Sequence, residues 1–172
     1  MTVMTISQAL RRIKVLKGQI AERNARALSA VTYDSLKLPA FKFEDSVREA
    51  DEFRTELLAL ETRLTIANAG TMVEFEGKRV CLAGAIRNLQ EIKGQIAWFK
   101  SLNCRVDAIE EVSVRHADYD EEGKRFSRLE TTRFVCDLPE AKRAKTVARH
   151  QAMFDALNDV VESANHRTSF EV

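Results

Sequence analysis

Residues Lys124 to Asp137 read Lys-Arg-Phe-Ser-Arg-Leu-Glu-Thr-Thr-Arg-Phe-Val-Cys-Asp, and they are where an otherwise helical periodicity stops. Thr131, Thr132, Phe134 and Val135 favour a pleated backbone, whereas nearly all the sequence before residue 104 and after residue 137 repeats its apolar positions every three or four residues. One extended arm in a helical chain needs a partner close in sequence. Val112-Ser113-Val114-Arg115-His116 alternates like a strand and Asp118 to Gly123 supplies an acidic turn, so an inserted β-hairpin is expected at about 111–136.

The helical parts resolve into four apolar stripes. Ile6, Leu10, Ile13, Leu16, Ile20 and Ala27 mark a first helix, and Val47, Ala50, Phe53, Leu57, Leu60 and Leu64 mark a second, capped by Asp45 or Ser46. Leu82, Ile86, Leu89, Ile92, Ile96 and Phe99 mark a third. Ala144, Val147, Phe154, Leu157 and Val161 mark a fourth, opened by Asp137-Leu138-Pro139-Glu140 with the aspartate as cap and the proline in the first turn. Between the first two, Pro39 lacks a backbone N–H and biases Leu38 towards extended backbone, so residues 32–44 read as an ordered connection pinned by Phe41 and Phe43. The fold expected is mainly α: a four-helix antiparallel coiled-coil-like bundle with a small antiparallel β-sheet made of the hairpin plus short strands.

An internal echo bears on those short strands. Ala67-Asn68-Ala69-Gly70-Thr71-Met72-Val73-Glu74-Phe75 matches Ala164-Asn165-His166-Arg167-Thr168-Ser169-Phe170-Glu171-Val172 in its Ala-Asn start, its threonine and its glutamate. Both copies lie where a long helix gives way to β-forming residues. A duplicated helix–strand unit, with its strands joining the central hairpin, and a coincidence of two helix ends both fit the match.

With 172 residues, 45% of them hydrophobic, the chain is long enough for a single domain with a substantial core. Its net charge of +1 gives no global field for nucleic acid or membrane, so any anion site must be a local cluster. Cys81, Cys104 and Cys136 are odd in number and far apart without CxxC spacing, so neither a disulfide framework nor a zinc site is indicated and a reducing cytoplasm is the simple reading; no cofactor is expected. Arg11, Arg12, Lys14 and Lys17 interrupt the first apolar stripe, and no 18-residue apolar run occurs, so neither a signal peptide nor a membrane span is expected.

The hairpin segment carries a resemblance. Arg125-Phe126-Ser127-Arg128-Leu129-Glu130, followed by Arg133-Phe134-Val135 and Asp137, resembles the Arg-aromatic-Ser-Arg-x-Glu and basic-Phe-Val segment of a family of small, mostly helical bacterial and phage proteins, some labelled septicolysin. Similarity extends to Ala9-Leu10-Arg11-Arg12, to Asn68 with Thr71, and to Ala164-Asn165 with Thr168, while Thr131-Thr132 lengthens the strand relative to the family pattern. The resemblance implies a compact coiled-coil oligomer with a small sheet and supplies no enzymatic activity. Pore formation, which the label suggests, finds neither an apolar hairpin nor a membrane-length helix here.

Candidate sites follow from the same stretch. Arg125, Ser127, Arg128, Glu130 and Arg133 offer fork-like donors for a small anionic ligand or nucleotide, although an ion-pair ladder across a hairpin or subunit boundary is the commoner use of such residues. Alternation puts Arg128 with Glu130 on one face and Arg125 with Ser127 on the other. Lys142, Arg143, Lys145 and Arg149 put positive charge along the last helix, where phosphate contacts compete with an ordinary solvated face flanked by Glu140, Asp155 and Asp159. Asp118 to Gly123 begins like an EF-hand loop, but Leu129 stands where the bidentate glutamate is required, so a solvated turn is the better reading. His116, His150 and His166 form no catalytic or metal-ligand spacing. Together these features predict a non-enzymatic homo-oligomer that acts as a scaffold or as a partner of another protein.

Overall fold

The computed structural model describes residues 3–105, 107 and 109–171, apart from the side chains of Glu110 and Phe126. In chain order the elements are β1 (Val3–Thr5), α1 (Ile6–Ser29), α2 (Phe43–Gly70), β2 (Met72–Phe75), β3 (Lys78–Cys81), α3 (Leu82–Ser101), β4 (Ile109–Tyr119), β5 (Arg125–Val135), α4 (Glu140–Arg167) and β6 (Ser169–Glu171). The protein is mainly α, with four helices and small antiparallel sheets among the described residues. It divides into two compact units, Met1–Leu89 with Ala156–Val172 and Gln90–Asp155.

In the first unit, α1 opens with a reciprocal cap. Thr5 Oγ1 accepts from Gln8 N at 3.2 Å, and Gln8 Oε1 accepts from Thr5 N at 2.8 Å. The helix buries Ile6, Ala9, Ile13, Leu16 and Ala27 and packs along α2, which buries Ala50, Leu60 and Leu64. Leu10, read from its spacing as a core position, is 46% exposed, and Ala9 takes its place because the buried stripe runs Ile6, Ala9, Ile13, Leu16. Ion pairs fringe the seam: Arg12 grips Glu56 through two bonds of 2.8 Å, and Lys17 reaches Glu61 at 2.8 Å. Being exposed, such pairs contribute about 0–1 kcal/mol each, so the apolar stripe carries the packing.

Two further expectations shift here. The second helix starts at Phe43 with Lys42 in the cap position, ahead of Asp45 and Ser46, and the buried Ser46 donates its Oγ to Lys42 O at 3.0 Å. Its two phenylalanines do not bury the connection. Phe41 and Phe43 remain about half exposed, and Arg26 lies 4.2 Å over the Phe41 ring.

The short strands explain the internal echo. Thr71 N donates to Ala67 O at 2.9 Å at the end of α2, and Thr168 N donates to Ala164 O at 2.9 Å at the end of α4. Each threonine carbonyl then accepts the first N–H of another helix: Leu82 N reaches Thr71 O at 2.7 Å and Ile6 N reaches Thr168 O at 3.1 Å. Leu82 and Ile6 are both fully buried, and α2 and α4 are both 28 residues long. The chain is thus a β-α-α-β unit used twice, with β4 and β5 inserted between the helices of the second copy. The strand ending the first unit, β2, pairs with β3, and the strand ending the second, β6, returns to β1. Even the exceptions match, since Asn68 Oδ1 and Asn165 Oδ1 are buried without a hydrogen-bond partner at equivalent positions.

A single sheet was the expectation; the described residues form three two-stranded sheets, β1–β6, β2–β3 and β4–β5. Among the described residues each of the short strands pairs with one neighbour and none joins the ribbon. The β2–β3 turn places Glu76 at φ 51° and Gly77 at φ 71°, as a two-residue hairpin turn requires. Glycine suits that conformation and glutamate does not. Replacing Glu76 with Asn is expected to stabilise the fold by about 1 kcal/mol, read as a higher denaturant midpoint at unchanged slope.

Candidate interaction surface of the β4–β5 ribbon

The second unit is built on the carboxyl half of α3, the amino half of α4 and the ribbon β4–β5. Ile92 and Ile96 of α3 are its buried residues among those described. Trp98 and Phe99 meet edge to face at 4.8 Å, and Phe99 lies 5.4 Å from the His150 ring, whose Nδ1 is 2.8 Å from Thr146 O. His150 is therefore held by its own helix and an aromatic neighbour.

Arg143, grouped by charge with Lys142, Lys145 and Arg149 as a phosphate-contacting face, is already engaged. One Nη donates to Lys100 O and Leu102 O at 3.0 Å each, and the other donates to Glu140 Oε1 at 2.6 Å. It supplies donors to carbonyls that the end of α3 leaves without helical partners. The Glu140 hydrogen bond raises the guanidinium pKa above its ordinary value, with desolvation opposing. Stability from a raised pKa is complete below the unfolded value and is lost only as pH rises through the folded one; for arginine both lie beyond the physiological range, so this cap is insensitive to pH there. Arg143→Ala should speed amide exchange at the carboxyl end of α3 while leaving α1 unchanged. Lys142, Lys145 and Arg149 remain exposed. The helix starts at Glu140, so Pro139 precedes it and Asp137 does not cap it; Glu140 N donates instead to Arg105 O at 2.9 Å.

The ribbon runs as expected, with eleven residues in each strand and an unbroken register from Ile109↔Val135 to Tyr119↔Arg125. Asp120 builds its turn: Oδ1 accepts from Glu122 N at 3.1 Å and Lys124 N at 2.7 Å, while Gly123 takes φ 77°. These bonds are those of an Asx-type turn, and among the described residues no cluster of His, Cys, Asp and Glu is fit to hold a metal. The candidate ligand residues divide by face. Arg125, Ser127 and Arg133 share the face of Tyr119, Ala117 and Glu111, whereas Arg128 and Glu130 share the other with His116 and Val114. Glu130 Oε2 lies 3.9 Å from His116 Nε2, and Ser113 and Thr131 hydroxyls meet at 2.7 Å. All five candidate residues are exposed.

Among the described side chains of the ribbon none is buried, and only Val112 is half-buried. Val114, Leu129 and Tyr119 stand open to solvent, as do Ile109 and Val135, which face each other at the base. At that base Arg105 lies 3.8 Å over the Phe134 ring. A second apolar surface sits on the α1–α2 connection of the first unit, where Leu36 and Leu38 are 90% and 78% exposed.

One site had no sequence signal. A cleft of about 560 Å³ in the first unit lies between β2 and the end of α4, lined by Glu74, Asp159, Ser163 and Arg167 among others. Arg167 donates to Ser163 Oγ, and two carboxylates stand against the one guanidinium, so the cleft does not concentrate positive charge. No helix among the described residues is long and apolar enough to cross a membrane. Compared with protein-family models, curated proteins and solved structures, the chain matches none of them.

Proposed function

We propose that this chain is a non-enzymatic scaffold or protein-interaction protein that assembles with copies of itself, with the β4–β5 ribbon as its assembly arm. The observation carrying the reading is a ribbon of two eleven-residue strands with no buried side chain among those described. An isolated two-stranded ribbon is at best marginally stable in water, and gains stability once a further strand or a packed face covers it. Leu129, Ile109 and Val135, open to solvent on one face of the ribbon, supply that face with apolar area.

The same reading extends to the helices, which we take to close into an antiparallel coiled-coil-like bundle within the assembly. Three unpaired cysteines support a reducing compartment such as the cytoplasm. The likeness of residues 125–137 to the septicolysin-labelled family, and the bacterial or phage origin it implies, belong to the proposal too. Light scattering across a concentration series tests it. The expected result is a multiple of the 19.5 kDa chain mass, and a monomer at every concentration overturns it. A bound small mass in native mass spectrometry, lost in Arg125→Ala and Arg128→Ala, would replace it with the anion-binding reading.

A further inference from the structure

We infer that two copies of the chain pair through the free edge of β4, antiparallel about a two-fold axis at Ser113, to form one four-stranded sheet. The inference rests on the self-assembly reading and adds to it a surface, a partner and a register. Among the described residues β4 pairs with β5 alone, so its other edge is open. Asp120 N donates to Lys124 O, which fixes the alternation of bonds in the ribbon. Even-numbered residues of β4 exchange bonds with β5, and the odd-numbered Ile109, Glu111, Ser113, Arg115 and Ala117 direct N–H and C=O outward. Along its described residues the edge has no proline and no bulge, two of the usual devices against edge pairing.

What the edge does have is a sequence antisymmetric in charge. Ile109-Glu110-Glu111-Val112-Ser113-Val114-Arg115-His116-Ala117 reads apolar, acid, acid, apolar, serine, apolar, base, base, apolar. Antiparallel pairing about Ser113 sets Val112 opposite Val114, Glu111 opposite Arg115, Glu110 opposite His116 and Ile109 opposite Ala117, each pair occurring twice. Every position meets its complement. Neighbouring registers do not: a centre on Val114 sets Glu110 opposite Asp118, and a centre on Arg115 sets that arginine against itself. The edge of β5 has no equivalent, since a centre on Leu129 sets Arg125 opposite Arg133 and a centre on Glu130 opposes two glutamates. An isologous contact requires this self-complementarity, and among the candidate edges of the ribbon only β4 has it.

Two single variants of the full chain test the register. In Glu111→Arg and in Arg115→Glu like charges face each other across the axis, so each alone should dimerise at least tenfold more weakly than the native chain by light scattering. Mixed in equal amounts they are complementary at every position, and the native mass should return. Within one ribbon Glu111 faces Arg133, so loss in Glu111→Arg alone could arise inside the hairpin; recovery on mixing could not. Ser113→Cys supplies a second reading. Bonded antiparallel neighbours stand about 5.5 Å apart, within disulfide range, so diamide should link the two copies through residue 113. A native oligomer whose mass neither single variant lowers, or that fails to return on mixing, overturns the inference and leaves self-assembly standing. A native monomer removes both.

Discussion

Leu16→Ala is expected to cost about 2–5 kcal/mol of folding stability, a large share of the roughly 5–15 kcal/mol by which a domain is usually stable. Leu16 is fully buried in the stripe that α1 presents to its core, together with Ile13 and Ala9. Truncation removes the transfer energy of the lost carbons and leaves a void that close-packed neighbours fill only in part. Leu10→Ala, six residues earlier on the same helix, is the internal control. Its side chain is 46% exposed, so less apolar area leaves the interior and the loss should stay within about 1 kcal/mol. Urea unfolding of the two variants at one protein concentration decides the matter. Equal losses would mean that the buried face of α1 has been misassigned.

Between α1 and α2, Glu49→Ala should cost more than Arg23→Met, although the two substitutions break the same ion pair. Arg23 Nε donates to Glu49 Oε2, and the arginine side chain is 19% exposed against 44% for the glutamate. Its Nη1 is buried without a hydrogen-bond partner and lies 3.3 Å from Glu22 Oε1. Removing Glu49 leaves a mostly buried guanidinium short of acceptors, an expected loss of about 1–2 kcal/mol after allowance for the exposed partner. Methionine instead removes the charge together with its desolvation, and keeps an aliphatic stem beside Phe53, whose ring centre lies 5.9 Å from the Arg23 guanidinium carbon. Arg23→Met is therefore expected to cost less than about 1 kcal/mol. Thermal unfolding of both, with the double variant to close the cycle, would contradict this if Arg23→Met proved the more damaging.

These contrasts show where local sequence is a sufficient guide. A helical stripe is a property of neighbours three and four residues apart, so Ile13, Leu16, Leu60, Leu64, Leu89, Ile92, Leu157 and Val161 were legible as buried positions before any fold was known. The ribbon was legible for a similar reason, because alternation, an aspartate-led turn and a glycine at φ 77° act within a few residues of each other. The division of Arg125, Ser127 and Arg133 from Arg128 and Glu130 followed from the same two-residue period.

What lay beyond sequence was every feature that joins distant segments. Three-residue strands such as β1 have no period to detect, and the bond from Ile6 N to Thr168 O depends on a chain closure that no local window contains. Arg143 read as one cation among four, and only the fold brought Lys100 O and Leu102 O to its guanidinium. The antisymmetric run from Ile109 to Ala117 was always present in the letters. It became a candidate code for pairing only when β4 was seen to pair, among the described residues, with β5 alone, because complementary charges select a register where a backbone has bonds left to make.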